Sequence, residues 1–372
     1  MKDCFSIGLM IFCLQWAASA ALAQNQKSKA SPPQTEPVIS EKLINSRIKQ
    51  TLEKALEQPL VAADKDSKQD DVDEQAAKAD AVEPDLAYGA YQRGYYLTAF
   101  NHALPRAKLG DRAAQLLIGV LYDKGLGIKK NPKEAAQWYK FAAENGSTEA
   151  QFSYALKLLE GVHVRKDKKA ARQYLQKAAD AGHSVAQFNY AQMIVDERPT
   201  SRGIKLALSY YEKAAAGGVA DAYFALAQIY TRGYGTVTSD EKAARNMLIK
   251  AALNNVENAQ IELGIWLANG RGGEKDLDGA LAWFRIAALR GNVIAQNRLA
   301  RMYALGLGTK VKPDEAAKWY VLARRQGHRD AMLDDFYNSL TADVRNAALK
   351  AANSWKPMTK PKWQLSRVLA EK

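Results

Sequence analysis

Residues 295–327, AQNRLARMYALGLGTKVKPDEAAKWYVLARRQG, contain one complete copy of a pattern that organises most of the chain. The copy begins with an Ala-Gln dipeptide, and this dipeptide or a close variant returns every 36 or 37 residues. The seven dipeptides are Ala114-Gln115, Ala150-Gln151, Ala186-Gln187, Ala222-Tyr223, Ala259-Gln260, Ala295-Gln296 and Ala331-Met332. A constant period of this size is the sequence signature of a repeat architecture.

Each repeat is predicted to form two helices. Counted from the alanine of the dipeptide, offsets +4 and +8 carry large side chains on one helix face, as Leu299 and Tyr303 do in the sixth unit. Offset +5 is Gly or Ala in units one to six, which would let a second backbone approach closely. A glycine at +11, such as Gly306, ends the first helix, and a start signal such as Lys312-Pro313 begins the second.

Two units depart from this pattern. The third has Glu197 in place of the +11 glycine, and the fourth has one extra residue, which we assign to the turn between Gly235 and Met247. A glycine also stands four residues before each dipeptide alanine, except that the fifth unit has Asn255 there. Asparagine is the other residue that tolerates a left-handed helix end, so the exception supports the pattern.

A single helix pair cannot enclose an apolar core, whereas stacked pairs can. The sequence therefore predicts an all-α protein with a solenoid over residues 84–340. Residues 86–109 predict one further helix pair before the first unit. An alanine-rich helix over 341–355, followed by a basic tail, makes 341–372 the predicted C-terminal cap.

The pattern A-Q-x-x-L-G-x-x-Y-x-x-G-x-G, followed by A-x-x-W-Y-x-x-A-A-x-x-G, resembles the Sel1-like repeat family, whose members are relatives of the tetratricopeptide repeats. The resemblance covers about residues 85–355 and implies a right-handed α-solenoid that acts mainly as a scaffold for protein–protein interaction. Secreted bacterial members include envelope regulators and export-complex adaptors. One subgroup is rich in cysteine, and this chain departs from it completely.

The first 23 residues have the pattern of a secretory signal peptide: Lys2, a short apolar core, and small residues ending at Ala23. A retained membrane anchor is the alternative, but the apolar core is short for a membrane span. Residues 24–83 are polar and acidic and predict a disordered linker. Within it, 40–58 have helical spacing and form a candidate helix, either a partner-binding segment or a marginal helix in a spacer.

Composition argues against several kinds of chemistry. The only cysteines, Cys4 and Cys13, lie in the signal, so the mature chain would lack disulfides, thiolate metal sites and cysteine catalysis. Gly-x-Gly triplets such as Gly306/Gly308 recur between two helices, which favours a repeat turn over a phosphate loop. His183 and His328 share one repeat position, which favours a structural role. We therefore predict no catalytic residue, no metal and no cofactor.

By analogy with tetratricopeptide-like stacks, the first helices line a concave groove. The side chains at offsets +2 and +6 would face this groove. An apolar stripe there could receive a peptide or helix from a partner protein. Packing between neighbouring repeats is the other explanation for offset +2, and for offset +6 the two explanations are evenly matched. The candidate groove residues are Phe152, Leu156, Phe188, Gln192, Phe224, Gln228, Ile265 and Arg301.

The chain carries a formal net charge of +13, and its C-terminal tail is basic. The tail could touch anionic lipid or an acidic polysaccharide, or it could be a solvated extension. Its candidate residues are Lys356, Lys360, Lys362, Trp363 and Arg367.

The sequence thus favours a non-catalytic scaffold, periplasmic or secreted, that binds another envelope protein. A module for cell-wall or anionic surface polysaccharide is the alternative, and an enzyme that uses a carboxylate pair comes third. Nucleic acid is not an expected partner of an exported chain.

Overall fold

The structure is a computed structural model that describes residues 85–197, 200–234 and 237–358. These residues form sixteen helices, and the only strand-like pairing among them is one isolated bridge between Tyr234 and Val237. The helices are α1 (Leu86–Gln92), α2 (Tyr96–Lys108), α3 (Arg112–Lys124), α4 (Pro132–Glu144), α5 (Thr148–Glu160), α6 (Lys168–Asp180), α7 (Ser184–Glu197), α8 (Ser201–Ala216), α9 (Ala220–Arg232), α10 (Glu241–Leu253), α11 (Glu257–Asn269), α12 (Leu277–Leu289), α13 (Val293–Leu305), α14 (Pro313–Arg325), α15 (Ala331–Ser339) and α16 (Ala342–Ser354).

The helices form tandem pairs, as the repeat predicted. The odd-numbered helices α3–α13 are the first helices of units one to six, and the even-numbered helices α4–α14 are their second helices. Each helix from α1 to α13 packs against the next one along the chain, both within a unit and between units. The all-α solenoid of helix pairs is confirmed for this part of the chain, and the predicted pair over 86–109 is present as α1 and α2.

Side chains at the predicted start signals cap the second helices. Asn131, Asp167 and Asp240 each accept a hydrogen bond from a backbone N–H in the first turn of α4, α6 or α10. Such a cap satisfies one of the donors that a helix start leaves free. At Lys312 the helix start relies on Pro313 instead, because this residue makes no side-chain cap.

The glycines of the Gly-x-Gly turns have two different roles. The first glycine ends the first helix in the left-handed region, with φ of 69° at Gly125 and 66° at Gly306. The second glycine lies against the preceding repeat: a Cβ on Gly127 would come within 2.6 Å of the backbone nitrogen of Leu97 in the first turn of α2. These triplets are therefore turns at which one repeat touches the next.

The two irregular units keep the period in different ways. In the third unit only residues 198–200 separate α7 from α8, but α8 has sixteen residues where the other second helices have thirteen. In this unit the longer helix α8 thus takes the place of the glycine turn. In the fourth unit the extra residue lies in the connection 233–240 between α9 and α10, as predicted. Asn255 has φ of 66° and is the only non-glycine residue with positive φ in the described part of the chain.

The glutamine of the dipeptide is a buried connector between repeats. Its Nε2 donates to the carbonyl oxygen eight residues earlier, in the last turn of the preceding second helix. The five bonds are Gln115 to Ala107 (3.1 Å), Gln151 to Ala143 (3.3 Å), Gln187 to Ala179 (3.1 Å), Gln260 to Ala252 (3.1 Å) and Gln296 to Ala288 (3.3 Å). Each of these carbonyls also accepts a backbone N–H from the turn that follows its helix, so the glutamine is a second donor that finds a partner for its own buried amide.

The small residue at offset +5 makes room for an aromatic ring rather than for backbone, which corrects the sequence interpretation. A Cβ on Gly119 would lie 2.8 Å from Cδ1 of Tyr139, and a Cβ on Gly264 would lie 2.8 Å from Cε1 of Phe284. Both rings belong to the second helix of the same unit and are buried. Each ring therefore packs directly against the backbone of the first helix of its unit.

The C-terminal helix α16 packs against α14, in agreement with the predicted cap. The indole of Trp355 then contacts that of Trp319, with ring centroids 5.9 Å apart, and the Met358 N–H donates to the Leu289 carbonyl at the end of α12. The predicted signal peptide (1–23), the linker (24–83) with its candidate helix 40–58, and the tail beyond Met358 lie outside the described residues.

We predict that Gly264→Ala destabilises the protein by about 1–3 kcal/mol, because the added methyl overpacks against the Phe284 ring. The measurement is urea unfolding followed by circular dichroism. Gly89→Ala in α1 is the matched control, since a Cβ there meets only the end of the Arg93 side chain at 3.9 Å. The control should gain about 0.5–1 kcal/mol from helix propensity. Equal effects at the two sites would contradict the packing explanation.

Candidate partner-binding site

The predicted groove residues lie in two rows along the first helices, and together these rows are called the first-helix face. The first row is Leu116, Phe152, Phe188, Phe224, Ile261 and Asn297. The second row is Val120, Leu156, Gln192, Gln228, Ile265 and Arg301. All of the second row is half-buried, as are the first four residues of the first row, whereas Ile261 and Asn297 are buried. A partly accessible surface, mainly apolar in the first row, therefore runs over units one to four.

The aromatic residues of the first row also pack within the protein. The Phe152 ring stacks on the His183 imidazole, which directly precedes α7, with centroids 4.6 Å apart. The Phe188 ring lies 5.7 Å from that of Tyr211 in the second helix of its own unit. Both contacts are of the packing type that the sequence left as an alternative, and both rings keep some exposed surface.

His183 is held in place at the start of α7. Its Nδ1 accepts the Ala186 N–H at 3.0 Å, so the proton on Nε2 is directed at Glu149 Oε2, 2.9 Å away. His328 shares the sequence position but not this role, because α15 begins later and is capped by Asp330. The shared position thus produces a helix cap at one histidine only.

The polar residues of the second row join their helices to different neighbours, Gln228 to the next first helix and Gln192 to the second helix of its own unit. Gln228 Nε2 donates to Glu262 Oε2 at 2.7 Å, and the Tyr211 hydroxyl donates to Gln192 Oε1 at 3.0 Å. Burial raises the pKa of the Glu262 carboxyl, although the Gln228 hydrogen bond and the nearby Arg271 act in the opposite direction. Sequence analysis did not identify Glu262. The available signal was that Glu262 is charged, whereas the residues at the same offset in units one to four are neutral.

An ion pair closes the first-helix face at its C-terminal end. Arg301 Nε and Nη2 donate to the two carboxylate oxygens of Asp330 at 2.6 and 2.7 Å, and Asn297 Nδ2 donates to Asp330 Oδ2 at 2.8 Å. The side chain of Asp330 is only 5% exposed. The hydrogen bonds from Arg301 hold the pKa of Asp330 well below its usual range, despite the burial that would raise it. Arg301 is therefore engaged in joining the sixth unit to α15.

The basic tail can be followed only at its start. Lys356 is exposed, whereas Lys360, Lys362, Trp363 and Arg367 lie outside the described residues. Residues 85–197, 200–234 and 237–358 contain no group of three His, Cys, Asp or Glu side chains suited to a metal ion. No helix in the described part of the chain is long and apolar enough to cross a membrane.

The family model described as Sel1 repeat matches six consecutive segments, residues 112–147, 148–183, 184–219, 220–256, 258–292 and 293–328. Together they cover more than half of the chain and coincide with the six helix-pair units. The chain belongs to the Sel1 repeat family. Sel1 repeat proteins are generally scaffolds for protein–protein interaction and are typically non-catalytic.

Solved structures and a curated protein show the same relationship. The chain is 33% identical to a Sel1 repeat protein from Oxalobacter formigenes, with a TM-score of 0.56, covering 66% of this chain and 97% of that one. The protective antigen c5321 of uropathogenic Escherichia coli shares the fold at 24% identity and a TM-score of 0.50, covering 73% of this chain and 67% of that one. An F-box protein of Arabidopsis thaliana is 38% identical over 78 residues, and the match spans 21% of each chain.

We predict that Asp330→Asn lowers the free energy of unfolding at pH 7 by about 1–3 kcal/mol, because a buried charge-assisted pair is lost. Asparagine keeps the N-cap, so the substitution isolates the charge. The folded pKa of Asp330 lies below the ordinary value of 3.8. The contribution of the pair is therefore complete above about pH 5 and is lost as the pH falls towards and below that ordinary value.

Urea unfolding of the two proteins from pH 7 to pH 3 measures the effect, and the difference between them should shrink as the pH falls. Asp240→Asn is the control, since Asp240 also caps a helix but, within the described part of the chain, does so without a salt bridge. A pH-independent difference, or an equal loss at Asp240, would contradict the assignment.

Proposed function

We propose that this Sel1 repeat chain is a non-catalytic scaffold that is exported to the bacterial periplasm and binds an envelope protein along the first-helix face. The observation that carries the proposal is the pair of half-buried rows over units one to four. In these rows Phe152, Phe188 and Phe224 keep accessible ring surface at equivalent positions one repeat apart.

The chemistry of this face suits a peptide or helix with apolar anchors. Aromatic side chains provide large contact area, and here their packing against His183 and Tyr211 restricts their motion before any partner arrives. The second row adds amide groups at Gln192 and Gln228, which could align a partner backbone. Regular spacing along the stack would let one extended partner contact several units.

Export is supported by the sequence of residues 1–23, which combines a basic start, a short apolar core and small residues ending at Ala23. The absence of cysteine after Cys13 would also leave the mature protein indifferent to the oxidising conditions of that compartment. The solved structures that it resembles come from bacteria.

The test places a photo-crosslinking residue at Gln192 in the full chain and analyses the cross-linked partners in the periplasmic fraction of the native host. We predict that Leu156→Glu together with Ile265→Glu reduces the main cross-link about tenfold or more, since charged side chains replace apolar anchors of the face. Phe141→Glu with Leu206→Glu is the control pair, because these residues lie on second helices and are 46% and 47% exposed.

Circular dichroism and thermal unfolding of both double variants show whether each is folded. A folded face variant that cross-links as well as the control would contradict binding at the first-helix face. Recovery of the protein and its cross-link outside the periplasm would contradict export.

A further inference from the structure

Six basic side chains lie along the edge of the stack at which the first helices connect to the second helices. The members are Lys129, Lys130, Lys133, Arg165, Lys166 and Lys169, all exposed, and they are called the basic edge. They occupy three positions of the repeat in units one and two, because 165, 166 and 169 lie 36 residues after 129, 130 and 133.

The two connections that carry these residues have the same local structure. Gly125 and Gly161 both end their helices with φ of 69°. A Cβ on Gly125 would lie 2.9 Å from the Cβ of Lys130, and a Cβ on Gly161 would lie 2.7 Å from the Cβ of Lys166. The lysine therefore crosses the turn in the same way in both units, and the two sets of cations project in parallel.

Adjacent connections also lie side by side. Gly127 in the first connection touches the first turn of α2, and Gly308 in the sixth touches the first turn of α12, so each connection rests on the start of the preceding second helix. The same register would place the second connection, which has His163 at the position of the second glycine, at the start of α4, which carries Lys133. The six cations would then form one continuous patch.

Two of the carboxylates near this patch are engaged elsewhere. Asp123 pairs with Lys157 at 2.9 Å, and Asp167 accepts the Ala170 N–H at 2.9 Å as the cap of α6. Among the described residues, no carboxylate lies within ion-pair distance of the basic edge. The positive charge of the patch is therefore available to an external anion.

The positive charge at these three positions decreases along the stack. At the same three positions the third unit has Ser201, Arg202 and Lys205, and the fourth has Thr238, Ser239 and Lys242. The fifth has Glu274, Lys275 and Asp278, and the sixth has Lys310, Val311 and Asp314. The local charge falls from three cations in each of units one and two to a net negative value in the fifth unit, so the patch does not simply reflect a basic protein.

An exposed apolar side chain lies within the patch. Val162, at the tip of the second connection, is 70% exposed and is followed closely by Arg165 and Lys166. Cations on long, flexible stems around an exposed apolar tip match a surface in which anionic headgroups cover an apolar layer. An acidic peptide would complement the charges but would leave Val162 unexplained.

We propose that the basic edge docks this protein on an anionic lipid bilayer, with its six cations at the headgroups and Val162 at the interface. This binding is separate from capture of a protein partner by the first-helix face. It would position the scaffold at a membrane surface and leave the first helices free for a partner.

The test is co-sedimentation of the full chain with vesicles of equal parts phosphatidylglycerol and phosphatidylcholine. We predict that Lys129→Glu, Lys133→Glu and Lys169→Glu together weaken binding about 100-fold. Each basic residue near an anionic surface contributes about 1 kcal/mol, and 1.4 kcal/mol is a factor of ten. Wild-type binding should also fall steeply towards about 1 M salt, where the screening length is only ~3 Å.

Lys242→Glu, Lys275→Glu and Lys310→Glu form the matched control, since the change in net charge is the same and these lysines occupy the same set of three repeat positions in units four to six. The control should bind with near wild-type strength, and circular dichroism should show both variants folded. Equal weakening of the two variants, or no wild-type binding at low salt, would overturn the proposal. Equal binding to pure phosphatidylcholine would also overturn it.

Soluble polyglutamate identifies the competing partner class. If wild-type protein binds polyglutamate through the basic edge but does not bind anionic vesicles, the site belongs to an acidic polypeptide and the bilayer proposal is wrong. The vesicle assay contains no protein partner, so its failure would leave the proposal for the first-helix face untouched.

Discussion

A buried side-chain amide joins each regular repeat to its neighbours, and the rest of the structure depends on it. The glutamine of the dipeptide donates to the end of the preceding second helix and, in three units, accepts from the end of its own second helix. These acceptor contacts come from Asn145 to Gln115 (2.9 Å), Arg290 to Gln260 (3.2 Å) and Gln326 to Gln296 (2.9 Å). One amide thus connects three helices. Because an unpaired buried amide or carbonyl is costly, the connection defines how one unit follows another.

This constraint explains why the surfaces of the protein are periodic. Once units stack in one register, equivalent positions align along the chain, and a row of side chains at one offset becomes a continuous surface. The first-helix face and the basic edge both arise in this way, on different sides of the same repeat. Their chemistry is set by residues that take no part in the amide connection, such as Phe152 and Lys169, so these residues can vary without disturbing it.

The sequence revealed the packing positions because packing recurs with the period. The starts of five second helices, the left-handed Asn255 and the extra residue of the fourth unit could all be predicted from spacing, whereas the long α8 of the third unit could not. Contacts between residues at different repeat positions could not be predicted from spacing. Glu262 meets Gln228, and Asp330 meets Arg301, through side-chain reach between units, which no single offset encodes. The ring of Phe284 against Gly264 was also missed, because a small residue shows that something is close without showing what it is.

The central claim is that the dipeptide glutamine stabilises the junction between repeats, and Gln260→Leu tests it most directly. Leucine fills much the same volume but removes two hydrogen bonds of the buried amide, the one from the glutamine to the Ala252 carbonyl and the one from the Arg290 guanidinium to the glutamine. The bonds from Asn255 to Ala252 and from Arg290 to Asn255 remain. Urea unfolding of this variant and of the exposed control Gln137→Leu measures the contribution. The account predicts a loss of about 1–3 kcal/mol for Gln260→Leu and less than about 0.5 kcal/mol for the control. A Gln260→Leu protein as stable as wild type would contradict it.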